Sequence, residues 1–422
     1  MLSDSHDPLR ILPLEIVGII FEHLILRDRM ICLAVSKSWN ILLQSTKTLW
    51  TTLYTSRTCL HIPLKALENY LRRSNYAVDS ALLHLRSFGN KPNVRYLMDT
   101  CHGLKDFRIY GEGSLVQSQA AVLATARGIQ KLHILQRIHT NFSIMILAIK
   151  ACRKTLREAK FFCVTGYDNE SETLWPKMNA LTSIYLDLCN NGYIKFSDLI
   201  VAAPNLRSTV IVNCPSTDGF RLDMTLWHDL ERLDLTNTRL NCYPKLPPRI
   251  KHLILDGSCD LCFSSIIDDG IYSLPFLETF SFQHNKIDIS CIFTITDSCI
   301  RAKNLKTLRL GGIEISYPSD NFLRDYFPPS PTVEELSMSQ LWSWDEDVIE
   351  VIKLYPNLKK VDLSDNQITK ITIKELVHIG VKSIIIDECS GVDSETVDMA
   401  RAEGVYVSQR FTDESTSSFG QS

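Results

Sequence analysis

One apolar pattern returns along most of this chain at a nearly fixed interval, and that periodicity restricts the fold more than any other feature. The stretch "NLKKVDLSDNQI" places Leu358, Val361, Leu363, Asn366 and Ile368 in the spacing L-x-x-L-x-L-x-x-N-x-L. "FLETFSFQHNKI" repeats it with Leu277, Phe280, Phe282, Asn285 and Ile287. "NLKTLRLGGIEI" gives Leu305, Leu308, Leu310, Ile313 and Ile315, and "DLERLDLTNTRL" gives Leu230, Leu233, Leu235, Thr238 and Leu240. Looser copies centre on Leu85, Ile109, Ile134, Phe161, Leu186, Ile211, Leu255, Met338 and Ile386. The thirteen centres follow one another at intervals of 20 to 28 residues. A single match of this kind says little, whereas thirteen at near-constant period define a repeat architecture.

Each repeat is expected to supply a short strand whose apolar residues point into a coil, after which the chain returns along a helix or an irregular segment. "FSDLIVAAPNL" and "DVIEVIKLYPNL" read as such helices, each closed by a proline before the next strand. One coil cannot bury its own apolar face, so neighbours must stack. The spacing resembles the leucine-rich repeat, and Cys189, Cys214 and Cys389 at the Asn position resemble its cysteine-containing class. The resemblance implies an α/β solenoid of about 13 coils with a parallel sheet on the concave face. "DSETVDMARAEGVYV" resembles a terminal cap, "TDESTSSFGQS" reads as a disordered tail, and "YPSDNFLRDYFPPSPT" as a surface loop lengthening one repeat.

Ahead of the repeats stands a block of different character. In "ILPLEIVGIIFEHLIL" only Glu15, Glu22 and His23 interrupt the apolar residues after Pro13, so a helix here has a narrow wet face and apolar surface to spare. Those interruptions rule out a membrane span, and the acidic opening "MLSDSHDPLR" does not read as a secretory signal. The block reads as three short helices, with Pro13 and Glu15 starting the first, Asp28 capping the second and Ser36 the third. A unit this small buries too little surface to stand without a metal, a disulfide or a partner, and metal ligands are missing.

Leu12-Pro13-x-Glu15-Ile16, Ile20-Phe21-x-x-Leu24, Arg27-Asp28, Cys32-Leu33-x-Val35-Ser36-Lys37-x-Trp39 and Leu49-Trp50 together resemble an F-box, with Ser36 where cysteine is common and Lys37 where arginine is common. The expected organisation is an all-α F-box three-helix unit at 9–53, a connecting segment with the first repeat helix at 54–77, the solenoid and its cap at 78–410, and the tail at 411–422. The resemblance implies a substrate-recognition subunit of a Skp–cullin–F-box ubiquitin ligase. Such a subunit docks on a Skp-family adaptor, and through it on cullin and RING subunits, while the repeats hold a protein substrate. The expected adaptor contacts are Leu12, Pro13, Leu14, Ile16, Ile20, Leu24, Leu33 and Val35. For Trp39 a core position is the stronger reading, and for Ile20 and Leu33 core and contact stand even.

The rest of the sequence bounds the chemistry. No nucleophile–base grouping, phosphate loop or zinc-protease motif occurs, so the chain reads as a non-catalytic subunit without cofactor or metal. The only C-x-x-C, Cys259 to Cys262, lacks the second ligand pair of a structural zinc site, and the thirteen cysteines read as free thiols. A formal net charge of −3 gives no field for nucleic acid or an anionic membrane, and a cytoplasmic or nuclear location is expected. On the strands, residues flanking the inward ones face out. In the early coils these include His84, Arg86, Arg108, Tyr110, His133, Lys160, Phe162 and Tyr185, a basic and aromatic set suited to an acidic or phosphorylated substrate segment. Two other readings stay open at this point: a leucine-rich-repeat scaffold or regulator, and an F-box protein that uses its adaptor outside a ligase.

Overall fold

The computed structural model describes residues 7–24, 26–55, 63–88, 91–123, 125–126, 128–135, 137–166, 174–189, 194–214, 222–240, 244–258, 274–287, 303–315, 327 and 329–410. The Cys259–Cys262 pair, most of the 317–332 loop and the tail from 411 lie outside them. The chain divides into two units, Met1–Tyr193 with Asp198–Leu206, and Ile194–Ser197 with Arg207–Ser422.

The first unit opens with helices α1 (Pro8–Ile11), α2 (Leu14–His23), α3 (Leu26–Cys32) and α4 (Lys37–Ser45), a 3-10 turn at Lys47–Trp50 and strand β1 (Thr52–Tyr54). Ser36 caps α4 as expected, its hydroxyl accepting from the Trp39 amide. Asp28 does not cap α3; it lies inside the first turn, where its charge favours the helix dipole. Helix α5 (Leu64–Arg73) follows, then β2 (Ser80–His84), α6 (Leu85–Phe88), α7 (Lys91–Thr100), β3 (Asp106–Tyr110), β4 (Gly113–Ser114), α8 (Gln117–Leu123), β5 (Lys131–Ile134), β6 (Ile138–Asn141), α9 (Phe142–Cys152), β7 (Glu158–Thr165), β8 (Ser183–Cys189) and α10 (Phe196–Ala202). Strands β1, β2, β3, β5, β7 and β8 pair in that order, all parallel.

Two expectations are corrected here. The sheet begins one coil earlier, because Thr52–Tyr54 pairs with Ser80–Leu82, so the helical block and the repeats share a strand. The first repeat centre is Leu83, which stands opposite Ile109, and not Leu85, which opens α6. Leu83 and Leu85 are both buried, so apolar spacing alone could not separate them.

The second unit carries β9 (Ser208–Val212), β10 (Arg232–Asp234), β11 (His252–Ile254), β12 (Thr279–Ser281), β13 (Lys286–Ile287), β14 (Thr307–Arg309), β15 (Glu314–Ile315), β16 (Glu335–Ser337), α11 (Asp345–Ile352), β17 (Lys360–Asp362), α12 (Lys370–His378), β18 (Ser383–Ile385), α13 (Ser394–Ala402) and β19 (Tyr406–Ser408). Strands β9, β10, β11, β12, β14, β16, β17, β18 and β19 again pair consecutively and parallel. The middle residues of β10 to β18 are Leu233, Leu253, Phe280, Leu308, Leu336, Val361 and Ile384. These lie two residues before the centres read from sequence, so the inward and outward faces keep their assignment. The inward residues, Leu233 and Leu235 through Ile384 and Ile386, are buried coil after coil.

The coils of this unit turn through residues in the left-handed region, among them Asn213, Asn237, Gly257, His284, Gly312, Gln340, Asp365 and Glu388. After five of these the next residue sends a donor back to the preceding coil. Thr238 donates to the Ile211 carbonyl at 2.9 Å, Ser258 to Leu235 at 3.1 Å, Asn285 to Leu255 at 2.9 Å, Asn366 to Met338 at 2.9 Å and the Cys389 thiol to Leu363 at 3.1 Å. The sequence pattern places Asn or Cys at this position; threonine and serine fill it too, because the site needs only a short side chain with one donor. The architecture is a leucine-rich-repeat fold with an N-terminal helical block.

Candidate functional site

The helical block has a small core and a large apolar exterior. Val17, Phe21, Leu33, Leu43, Leu49 and Trp50 are buried. At its centre lies Arg29, whose guanidinium donates to the carbonyls of Phe21 at 3.0 Å, Glu22 at 2.7 Å and Leu49. It closes the C-terminal end of α2 against α3 and the 3-10 turn, a favourable place for a cation. Burial pulls its pKa below the ordinary arginine value. Sequence reading gave no hint of it, since an arginine in a short amphipathic helix reads as solvated. Trp39 packs edge-on against Phe21 at 5.2 Å and donates to Asp7 at 2.9 Å. The block is fastened to the first coil: Tyr70 donates to the Thr52 carbonyl at 2.7 Å, and Arg73 lies over the Trp50 ring at 5.5 Å.

Around this core, Ile11, Leu14, Ile16, Ile19, Ile20, Met30, Ile31, Val35 and Ile41 are exposed, from 38% for Met30 to 70% for Ile41. Ile16 and Ile20 stand one turn apart on α2, on a face adjoining the buried pair Val17 and Phe21. Isolated exposed apolar residues are ordinary; nine within about thirty residues are an excess of the kind that marks a protein interface. Of the eight positions expected to touch an adaptor, Pro13, Leu14, Ile16, Ile20 and Val35 are exposed, and Leu12 and Leu24 are half-buried. Leu33 is corrected: at 8% exposure it belongs to the core of the block. Ile11, Ile19, Ile31 and Ile41 were not singled out. Their signal was present as apolar residues in excess of what one helix face can bury.

The expected substrate residues fall on the first unit, where the registers order them. Arg108, His133, Lys160 and Tyr185 form one row across β3, β5, β7 and β8. Asp106, Lys131, Glu158 and Ser183 form the row beside it. The cations are not free. Arg108 grips Asp106 with two hydrogen bonds of 2.9 and 2.6 Å, and that carboxylate holds its pKa up. Lys160 lies 2.8 Å from Glu158, with Lys131 3.8 Å from the other carboxylate oxygen. Burial would raise the Glu158 carboxyl, but Lys160, His133 and Lys131 bring it below its ordinary value. Three cations against two carboxylates leave a weakly basic patch, not a strongly basic one.

Three further expectations are corrected. His133 is buried at 6% exposure, and burial pushes its pKa down, with Glu158 opposing; its Nε2 lies 3.2 Å from a Glu158 oxygen, off the line of a hydrogen bond. Arg86 is exposed but sits on α6, past the strand. The aromatics are half-buried against one another: Phe162 meets Tyr185 at 4.6 Å, and Tyr110 contacts Tyr54 at 6.1 Å and His84 at 5.1 Å while donating to the Thr55 carbonyl. Flat rings on a short-period sheet pack sideways before they reach solvent.

Among the described residues no helix is long and apolar enough to cross a membrane, and no group of three or more His, Cys, Asp and Glu is placed to hold a metal.

A leucine-rich-repeat chain with a helical, apolar-surfaced block at its start is what these features define. Residues 9–56 match the F-box-like family. Among solved structures the chain is similar to a leucine-rich-repeat protein of Leptospira interrogans, at 12% identity and TM-score 0.44 over 86% of this chain and 97% of that one. It is also similar to the leucine-rich-repeat ectodomain of the plant membrane receptor kinase GASSHO1/SCHENGEN3 from Arabidopsis thaliana. That likeness has 12% identity and TM-score 0.40, and covers 87% of this chain and 45% of the receptor's. No curated protein matches the chain. The protein thus combines an F-box-like segment with leucine-rich repeats.

Proposed function

We propose that this chain is the substrate-recognition subunit of a Skp–cullin–F-box ubiquitin ligase, and itself non-catalytic. The observation that carries this reading is the set of nine exposed apolar side chains on a segment matching the F-box-like family. Leu12, Pro13, Leu14, Ile16, Ile20, Leu24 and Val35, joined by Ile11, Ile19, Ile31 and Ile41, would lie against a Skp-family adaptor. Covering a Leu or Ile side chain is worth about 1.5–3 kcal/mol, so five or six of them supply a stable contact even after the cost of association. The shared strand β1 makes the block and the early coils one unit, which suits a subunit that must hold a substrate at a fixed distance from its adaptor. On the strand face, the rows holding Arg108, Lys131, Lys160 and Tyr185, with His84, Tyr110 and Phe162 beside them, would receive the substrate. The slight excess of cations over carboxylates there favours a weakly acidic segment.

The test is reconstitution. The full chain with purified adaptor should recruit cullin and RING subunits, and a substrate captured from the same cells should be ubiquitinated only when the chain is present. Recruitment without any ubiquitin transfer to captured proteins would mean that the adaptor is used outside a ligase. Failure to recruit cullin would end the proposal.

A further inference from the structure

In the first unit the thiols of Cys163 and Cys189 lie 3.3 Å apart, sulfur to sulfur. Their placement is unusual within the repeat. Cys189 ends β8 at the position that elsewhere donates to a carbonyl of the preceding coil, as Cys389 and Thr238 do. Here the preceding strand bulges. The register of β7 against β8 shifts between Phe161 and Val164, and Cys163 takes a left-handed φ of 55°. The bulge turns the Cys163 side chain toward Cys189, so a sulfur meets a sulfur. Both residues are half-buried, which leaves them open to a small oxidant, whereas Cys101, Cys152, Cys214 and Cys389 are buried.

The geometry suits a covalent bond. The residue opposite Cys189 is Thr165, so Cys163 reaches it on the diagonal across the bulge, and their closeness is read from the 3.3 Å between the sulfurs. Closing the sulfurs to about 2.05 Å needs a shift of little more than 1 Å.

We propose that Cys163 and Cys189 form a reversible disulfide that joins two adjacent coils when a peroxide reaches them. Hydrogen peroxide transfers one oxygen to the Cys163 sulfur, its O–O bond breaks, and one water leaves; Cys163 becomes a sulfenic acid. The Cys189 sulfur then attacks the Cys163 sulfur. The S–S bond forms, the S–O bond breaks, and the departing oxygen takes up the thiol proton as a second water. The two thiols lose two electrons in all, and the peroxide is reduced to two waters. A dithiol reductant reverses the bond by exchange. Burial, and then its neighbour Cys163, push the Cys189 thiol up to about 12, so the thiolate is scarce there and Cys189 takes the resolving role. The link lies next in sequence to Phe162, whose ring meets Tyr185, and so ties the bulge beside that pair to the next strand.

The experiment treats the full native chain with hydrogen peroxide, blocks remaining thiols with iodoacetamide, and maps the unreduced digest by mass spectrometry. The expected product is a 163–189 linked peptide, two hydrogens lighter than the sum of its parts, as the dominant cysteine–cysteine link and absent after dithiothreitol. Cys189→Ser should abolish it and leave Cys163 as a sulfenic acid trapped by dimedone. The same treatment in urea controls for folding and should yield no preference for this pair. Wild-type chain in which both residues are alkylated at a dose that oxidises other thiols would overturn the proposal. So would a 163–189 link that forms equally in urea, or a Cys189→Ser chain in which Cys163 links to another cysteine as readily as it links to Cys189 in the wild type.

Discussion

Replacing Asn366 with alanine tests the repeat architecture at one carboxamide. Asn366 is buried, and its amide nitrogen donates to the carbonyls of Met338 and Leu363, each at 2.9 Å, while its oxygen accepts from the Ser343 amide at 2.9 Å. Leu363 keeps a partner after the change, because the Cys389 thiol also donates to it. The Met338 carbonyl and the Ser343 amide lose theirs. A buried polar group left without a partner costs about 1–3 kcal/mol, so two cost about 3 kcal/mol, before any lost packing. At about 1.4 kcal/mol per factor of ten, the coil containing Ser343 should open about 150-fold more often. Native-state hydrogen exchange at the Gln367 amide, which donates to the Ser343 carbonyl in both chains, reads that opening. Gln367→Ala, one residue on and exposed, is the control and should leave exchange unchanged. An increase below about tenfold for Asn366→Ala, which is under about 1.4 kcal/mol, would refute the reasoning, as would an equal effect in the control.

Two further outcomes are expected. Burial depresses the folded-state pKa of His133, so its contribution to stability is fully present above the ordinary histidine value and is lost as pH falls through that value toward the folded one. Urea midpoints measured across that range should therefore decline on the acid side for the wild type and decline less for His133→Gln. Charge reversal at Arg108 and Lys160 leaves Asp106 without its cation and Glu158 with Lys131 alone, and turns the strand face acidic. Substrate capture should fall, more at low salt where the attraction is unscreened, with adaptor binding unchanged; unchanged capture at low salt would move the substrate elsewhere.

The repeat was legible because its determinant is periodic. Inward residues such as Leu233, Phe280, Leu308 and Val361 must be apolar in every coil, and the Asn at 285 and 366 answers a backbone donor need that recurs with them. What escaped was set by single contacts. Leu83 and Leu85 satisfy the same apolar spacing, and only the pairing with Ile109 decides between them. β1 has three residues and no repeat signature of its own. Leu33 and Val35 look alike in sequence, yet one is core and the other surface, because helix packing selects a face that a short segment does not announce. Asp106 and Glu158 stand two residues before Arg108 and Lys160 on the same strand faces, which the alternation shows; what the sequence does not show is how closely each carboxylate holds its cation and that Glu158 also meets Lys131 and His133 of the neighbouring strand. Arg29 was invisible for a related reason: its three carbonyl partners come from the end of one helix and from a turn twenty residues away.

The adaptor contact is the central claim, and titration calorimetry of a purified Skp-family adaptor against the full chain and its Ile16→Asp/Ile20→Asp variant tests it most directly. Both side chains are exposed in the isolated chain, at 43% and 45%, so the variant should unfold at the same urea concentration as the wild type. With less than half of each side chain left to cover, the two isoleucines contribute about 0.7–1.3 kcal/mol each, so losing both weakens binding by about 10-fold or more, before the added cost of burying two carboxylates. The account predicts tight wild-type binding that falls by at least that factor in a variant of unchanged stability. A variant that binds as tightly as the wild type, or a wild-type chain that does not bind the adaptor at all, would contradict it.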